Sequence, residues 1–345
     1  MCPVKIISVI IQAYITIFSF QELLMEIMKN IHLLRTKAPG TRSGTINAYL
    51  FKSSQGSLLI DTGWNEKRAE EMLIEQLHEA GVNLEDLHMI VVTHTHPDHF
   101  GMVHRLALKT GAQLVIHEKE QAELVRRAEN YETMVEEITA WLEAHDMPGD
   151  PRRFFDKASL TKLGLLPVRM QTRIVQGGER LSLGEFEFNI LWTPGHAPGH
   201  ICLYEVNQKI LAAGDHVLPG TTPNVSMYTG TMENPLSQYL ASLEKIRRLD
   251  TSLILPSHGE PFHGLADRVD AILQHHEERL AEMKSILAGG EQTARNVAEA
   301  TPWINGTTAW GKLSSFSRRM ALTETIAHLE FLVYRHSVTF LAPVP

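Results

Sequence analysis

Cysteine is nearly absent from this sequence. The 345 residues include two cysteines, Cys2 and Cys202, and two cysteines cannot build a disulfide framework. Cys202 lies in the apolar run 201–204, so we expect a buried and unreactive thiol there. The hydrophobic fraction is 43%, which is ordinary for a globular protein. A hydrophobic core, rather than covalent cross-links, must therefore hold the fold together.

An excess of positive charge is also missing. The sequence has 32 lysines and arginines against 40 aspartates and glutamates, a net charge of −8. This balance argues against a general binder of polyanions, so nucleic acid is not favoured as a partner. It does not exclude a local basic groove. We expect a small-molecule substrate, and the sequence leaves a homodimer open.

A clear membrane or export segment is lacking too. Residues 3–20 are mostly apolar, but Lys5 and small polar residues interrupt the run, and a spanning helix needs roughly 20 apolar residues. No clear cleavage site follows it. Residues 1–27 form an apolar extension that has three interpretations. In the first, the start is assigned too far upstream, and Met25 or Met28 is the true start. In the others, the extension is an extra helix or strand, or it is a membrane or export segment. We expect a cytoplasmic protein that does not act at a membrane.

Alternating strand and helix patterns predict an α/β fold. The runs 46–50, 57–60 and 89–93 predict strands, and Asn65 predicts the start of a helix between the second and third of them. No internal repeat is visible.

The length allows two domains, or one large domain with an appendage. We predict a catalytic domain over residues 28–264. Within it, residues 118–175 are expected to be a helical insertion that either covers the site or packs away from it. Residues 265–345 are mostly helical with a small β element, which predicts a separate, winged-helix-like C-terminal domain.

One stretch, MIVVTHTHPDHF at residues 89–100, carries most of the chemistry. A buried strand leads directly into four candidate metal ligands, namely His94, His96, Asp98 and His99. Imidazole and carboxylate groups are common metal ligands near neutral pH. The pattern therefore predicts that these ligands lie on a loop at the edge of a sheet, directly after the end of a strand.

Three later stretches repeat this arrangement of an apolar strand followed by a ligand. They end in His196, Asp215 and His258, each on a loop bounded by glycine or proline. Together the four stretches supply seven ligands. Seven is the number needed for two zinc ions if one carboxylate bridges them and a water takes a shared position.

The order of these motifs resembles the metallo-β-lactamase-fold hydrolases, which include glyoxalase II and lactonases and have an αββα sandwich. The resemblance covers residues 46–262 and is specific for the superfamily but not for the substrate. It implies one metal on His94, His96 and His196, a second metal on Asp98, His99 and His258, and Asp215 as the bridge. It also implies that Asp61 orients a ligand imidazole, and it leaves His200 in a supporting or structural role.

The resemblance implies two Zn²⁺ ions, with Mn²⁺ or Fe²⁺ as alternatives, and a shared hydroxide that attacks a carbonyl or phosphoryl centre. Asp98 would pass a proton, and Asp98 and Asp215 are the predicted catalytic residues. Asn224 and Tyr228, on the loop that leaves Asp215, are candidates for donating to an oxyanion. Simple packing of that loop is the alternative.

These features favour a hydrolase of a thioester, lactone or related ester. The alternative is a phosphodiesterase or endoribonuclease, because the helical tail resembles the branch of the superfamily that includes the mammalian lactamase-like protein 2. A non-catalytic protein on the same fold is disfavoured by the seven intact ligands. A secreted β-lactamase is disfavoured because no export signal is clear.

Overall fold

Two β-sheets stacked face to face form the centre of the computed structural model, which describes residues 24–37, 44–147, 156–227, 232–303, 306 and 308–339. The first sheet contains, in spatial order, β1 (Leu24–Met28), β2 (Ile31–Lys37), β3 (Thr45–Ser53), β4 (Gly56–Ile60), β5 (Leu87–Val91), β6 (Gln113–His117) and β7 (Thr172–Val175). The second sheet has the spatial order β12-β11-β10-β9-β8. Its strands are β8 (Arg180–Leu183), β9 (Phe186–Trp192), β10 (Ile201–Glu205), β11 (Ile210–Gly214) and β12 (Leu253–Pro256).

Helices cover the outer faces of both sheets. Those on the first sheet are α1 (Lys67–Glu79), α2 (Pro97–Phe100), α3 (Val103–Ala107), α4 (Glu118–Glu129), α5 (Tyr131–Ala144) and α6 (Lys157–Leu163). Those on the side of the second sheet are α7 (Pro235–Ile246), α8 (Leu265–Leu287), α9 (Ala294–Ala300) and α10 (Ser315–Tyr334). The predicted αββα sandwich is therefore confirmed. None of the helices in the described ranges is both long and apolar enough to cross a membrane.

The core between the sheets is apolar and aromatic. Phe51 on β3 meets Phe186 and Phe188 on β9 with ring centroids 5.2 and 5.0 Å apart, and both contacts are edge-to-face. Such contacts stabilise a core beyond the burial of area alone. Cys202 is fully buried on the other face of the second sheet, among the helices, and burial raises the pKa of its thiol to about 12, as expected for an unreactive cysteine.

Parallel pairing directs several strand ends to one edge of the sandwich. Strands β4 to β7 are mutually parallel, as are β11 and β12. The two sheets join at this edge, where the Ile201 amide donates to the Thr93 carbonyl at 3.0 Å and the Asn47 amide donates to the Ser257 carbonyl at 2.9 Å. The loops after β4, β5, β9, β11 and β12 carry, in that order, Asp61, the cluster from His94, His196, Asp215 and His258.

The helical insertion differs from the prediction at its end. Residues 118–144 and 157–163 are mostly helical, but Thr172–Val175 is β7 and pairs with β6. The α1 helix also begins later than predicted, at Lys67, because the side chain of Asn65 is used elsewhere. That side chain accepts a hydrogen bond from Arg105 and donates one to the Lys162 carbonyl.

The predicted N-terminal extension reaches into β1, whose strand starts at Leu24, and residues 1–23 lie outside the described part. At the other end, α8 and α10 share one hydrophobic cluster with the second sheet and α7. The winged-helix character is not confirmed, because the β structure in the described part of 265–345 is a single bridge between Trp303 and Thr308. The domain boundaries stay predictions.

We expect Phe51→Ala to lower the free energy of unfolding by about 3–5 kcal/mol, because the cavity lies between two sheets that cannot close on it. Chemical denaturation followed by circular dichroism measures the change. Phe316 on α10, which is 61% exposed, is the control, and Phe316→Ala should change stability by less than about 0.5 kcal/mol. A similarly small change in Phe51→Ala would contradict the importance of this aromatic contact.

Candidate metal centre

The turn from β5 into α2 separates the four ligands of the first motif into two pairs. His96 is the N-cap residue of α2 and Pro97 is its first residue, a position that suits proline because its missing N–H has no helical partner. His94 and His96 therefore lie on the extended loop, whereas Asp98 and His99 lie on the first turn of the helix. Because of this local structure, the side chains of His94 and His96 and those of Asp98 and His99 point in different directions.

Three histidines form the first group of ligands. His94 Nε2 lies 2.8 Å from His96 Nδ1, and His196 Nε2 lies 3.1 Å from the same His96 nitrogen. One ligand atom from each residue falls within 4.8 Å of the others. Because the three nitrogens converge on one point, the group could hold a metal ion.

Asp98, His99 and His258 form the second group. Asp98 Oδ2 lies 3.4 Å from His258 Nε2 and 3.7 Å from His99 Nε2. The side chains of His258 and Asp98 are 34% and 19% exposed, whereas that of His99 is fully buried. The second group therefore forms the open side of the site.

Asp215 lies between the two groups. Its Oδ2 is 3.5 Å from His196 Nε2 and 3.4 Å from His99 Nε2, and its Oδ1 is 3.4 Å from His258 Nε2. Asp215 thus contacts a member of the first group and two members of the second. All seven predicted ligands meet at this one place.

Burial keeps His94 and His96 of the first group neutral. Burial, strengthened by the charge that His99 would carry, holds the pKa of His94 well below its usual value. Burial and the neighbouring His196 lower the pKa of His96 to about 3. A neutral imidazole offers a free lone pair, which is the form that binds a metal ion.

The carboxylates of the site stay ionised. Burial alone would raise the pKa of Asp98, but His99 and His258 lower it to about 2. Burial also opposes charge on Asp215, yet His99 and His258 hold its pKa well below the usual range. Negative charge on a buried carboxylate such as Asp215 is stable only if positive charge balances it.

A divalent metal ion fits these residues. His99 Nε2 and Asp215 Oδ1 are buried and make no hydrogen bond among the residues that the structure describes. Unpaired buried polar atoms are rare in folded proteins, and both atoms point into the cluster of imidazoles and carboxylates. This donor set suits zinc and similar transition metals.

Asp61 lies behind His99, on the side away from the other candidate ligands. Its Oδ2 accepts a hydrogen bond from His99 Nδ1 at 2.8 Å, and its Oδ1 accepts one from the Thr93 amide at 2.8 Å. Asp61 adopts a φ of 58°, which is uncommon for a residue with a side chain. The contact leaves His99 Nε2 directed at the site.

His200 supports the loop of Asp215 and does not join the ligand groups found among the described residues. Its Nε2 accepts from the Asp215 amide at 3.2 Å, and its Nδ1 pairs with the Thr193 hydroxyl at 2.9 Å. The preceding residue, Gly214, has a φ of +54°, and a Cβ there would lie 2.6 Å from His200 Nε2. Glycine at this position therefore lets His200 approach the backbone.

Of the two residues predicted to line the substrate pocket, Asn224 lies in the described part of the chain and Tyr228 does not. The Asn224 carbonyl accepts from His196 Nδ1 at 2.8 Å, while its side-chain amide donates to Glu324 at 2.7 Å. Its contribution to an oxyanion site stays a prediction. Tyr228 lies outside the described residues.

Other supporting residues were missed in the sequence. Glu120 on α4 accepts from the Thr95 amide at 2.7 Å and from the Gly199 amide at 2.8 Å, so it ties two ligand loops together. Asn47 on β3 donates to the carbonyls of Pro256 and Gly259 and holds the loop of His258. The sequence offered one signal for Glu120 and Asn47, namely a polar residue at a position expected to be buried. It could not reveal their hydrogen-bond partners, because those partners lie far away along the chain.

We expect Asp61→Asn to weaken the binding of added zinc at this site by about 10–100-fold, the usual cost of losing a residue that orients a ligand imidazole. Competition with a chromophoric chelator measures this affinity. The exposed Asp250, whose carboxylate pairs with Lys209 at 75% side-chain exposure, gives the control Asp250→Asn. Unchanged zinc affinity in Asp61→Asn would contradict the role of Asp61.

Comparison with known proteins agrees with this geometry. The chain is 24% identical over 303 residues to the probable metallo-hydrolase YqjP of Bacillus subtilis, covering 86% of this chain and 90% of that protein. It is 30% identical over 223 residues to the acyl-coenzyme A thioesterase MBLAC2 of Gallus gallus, covering 63% of this chain and 73% of that protein.

Solved structures and the family match lead to the same conclusion. The crystal structure of a metallo-beta-lactamase family protein from Thermus thermophilus matches with a TM-score of 0.78 and 28% identity, covering 92% of this chain and 98% of that one. Residues 42–258 match the metallo-beta-lactamase superfamily. The chain therefore belongs to the metallo-beta-lactamase superfamily, a family of metal-dependent hydrolases.

Proposed function

We propose that the protein is a binuclear zinc-dependent hydrolase of a thioester, lactone or related ester of a small or medium-sized substrate. The observation that carries this proposal is the position of Asp215, whose two oxygens face members of both ligand groups. A carboxylate so placed suits a bridging ligand between two cations. Zinc agrees best with five imidazoles and two carboxylates, and Mn²⁺ or Fe²⁺ are the alternatives.

The roles of the ligands follow from their grouping. One ion would be held by His94, His96 and His196, the other by Asp98, His99 and His258, and Asp215 would serve both. When bound, such ions supply Lewis acidity and activate water at neutral pH. Asp61 would hold His99 in the tautomer that leaves Nε2 free for a ligand bond.

Asp98 is the residue best placed to move a proton. Its carboxyl borders the open side of the site, with a side-chain exposure of 19%, whereas that of Asp215 is 10% exposed. An ionised carboxylate at the solvent boundary can accept a proton from water and pass it to a leaving group.

An apolar cluster that includes one residue of the loop after Asp215 is compatible with a substrate that carries an apolar acyl group. Trp141 and Met147 from the insertion and Met227 from the loop after Asp215 pack against residues of the C-terminal segment. Met227 lies three residues after Asn224, whose carbonyl contacts His196. The thioesterase named among the relatives supports a thioester in particular. A cytoplasmic location and a homodimer stay predictions.

We expect His94→Ala and Asp215→Ala each to reduce metal-dependent hydrolysis at least about a thousandfold, because each removes a ligand of ions that contribute several kcal/mol to the transition state. Initial rates at fixed zinc concentration measure the loss. The exposed His78 on α1 provides the control His78→Ala, which should retain wild-type rates. Full activity in either ligand variant would refute the assignment.

A substrate panel tests the proposed reaction. The zinc-loaded protein is assayed against acyl thioesters, lactones, a β-lactam, bis-nitrophenyl phosphate and RNA, each with and without a chelator. We expect chelator-sensitive turnover of thioesters or lactones. Turnover of RNA alone would instead establish the phosphodiesterase or endoribonuclease alternative.

A further inference from the structure

The C-terminal helix α10 contacts the segment that supports one of the candidate metal ligands. The Glu324 carboxylate accepts a hydrogen bond from the side-chain amide of Asn224 at 2.7 Å. Thr323, the residue before it, contacts the Ser226 hydroxyl at 2.9 Å and accepts from the Met227 amide through its carbonyl at 3.1 Å. Three hydrogen bonds thus tie the short segment 224–227 to two adjacent residues of α10.

The same segment sets the orientation of His196. The Asn224 carbonyl accepts a hydrogen bond from His196 Nδ1 at 2.8 Å, which leaves Nε2 facing His96 and Asp215. A hydrogen bond to one ring nitrogen fixes both the tautomer and the direction of the other. The direction of the carbonyl depends in turn on how the Asn224 peptide is held.

Packing alone does not explain a carboxylate at position 324. The residues on either side of it, Leu322, Thr323, Thr325 and Ile326, are buried. Burial raises the pKa of the Glu324 carboxyl to about 7, while Arg279 and the Asn224 amide act in the opposite direction. A carboxyl group that is partly buried among apolar neighbours reduces stability unless it is hydrogen-bonded, and the side-chain amide of Asn224 supplies that hydrogen bond.

We propose that Glu324 is a positioning residue of the metal centre, which holds Asn224 so that its carbonyl orients the ligand His196. The C-terminal segment then contributes to the geometry of the metal centre and is not only an appendage. Glu324 itself is not a ligand. This inference rests on the proposed function, since it requires that His196 binds a metal ion.

Metal affinity and the spectrum of bound cobalt test the proposal. Co²⁺ is titrated into the metal-free wild-type protein and the variants, because its visible absorption reports the geometry of its ligands. We expect Glu324→Ala to weaken one of the two equivalents about tenfold, the lower end of the cost for residues that orient a ligand imidazole. The absorption bands of that equivalent should shift, and the second equivalent should bind as in the wild type.

Matched variants separate positioning from general stability. Glu324→Gln keeps an oxygen that can accept the Asn224 hydrogen bond, so its affinity should return to within about twofold of wild type. Glu330→Ala removes another partly buried glutamate of α10, and Thr325→Val removes a buried hydroxyl that bonds within its own helix. Both controls should leave the cobalt titration unchanged.

A second route covers the case in which Glu324→Ala does not fold. Asn224→Ala keeps the backbone carbonyl but loses the side chain that Glu324 holds, so it should weaken the same equivalent by a similar factor. Where both single variants fold, the combination of Asn224→Ala with Glu324→Ala should cost no more than Asn224→Ala alone, because the two residues act through one contact. Additive losses would overturn the proposal.

The outcomes distinguish this inference from the proposed function. If the wild-type protein binds fewer than two equivalents of Co²⁺, the binuclear assignment itself fails. If it binds two, and folded Glu324→Ala and Asn224→Ala both bind them with wild-type affinity and spectrum, the positioning role of Glu324 is refuted.

Discussion

A buried carboxylate among imidazoles is the interaction on which the candidate site depends. Asp215 faces His99, His196 and His258 at 3.4 to 3.5 Å. Asp61 approaches His99 from the other side at 2.8 Å. Negative charge in a buried place is stable only next to positive charge, so this arrangement requires protons or cations at its centre. One nitrogen and one oxygen there have no hydrogen-bond partner in the described part of the chain, which favours cations.

The sandwich delivers the ligands because five strands end at one edge. Long-range hydrogen bonds then hold the loops that follow those strands. Glu120 joins the loops of His96 and Gly199, and Asn47 holds the loop of His258. Supporting contacts of this kind restrict the ligands to one geometry before a metal ion binds. The site is therefore built from rigid strand ends and tied loops together.

The C-terminal helix α10 is linked to the candidate metal centre through one short segment of the loop after Asp215. Asn224 contacts His196 through its carbonyl and Glu324 of α10 through its side-chain amide, while Ser226 and Met227 contact Thr323 of α10. Met227 also belongs to the apolar cluster that includes Trp141 of the insertion. A change in the tail can reach the ligands through two hydrogen bonds.

The sequence by itself indicated the candidate ligands of the first motif, because their spacing is local: a buried strand, a turn and a short helix suffice to separate His94 and His96 from Asp98 and His99. The order of the motifs also indicated the αββα sandwich. The strand β7, the packing of α8 and α10 on the second sheet, and the partners of Glu120, Asn47 and Glu324 were decided only by the tertiary structure. Those side-chain contacts join residues 25, 100 and 212 positions apart, and hydrogen bonds at such separations depend on which surfaces pack together, which no local pattern encodes.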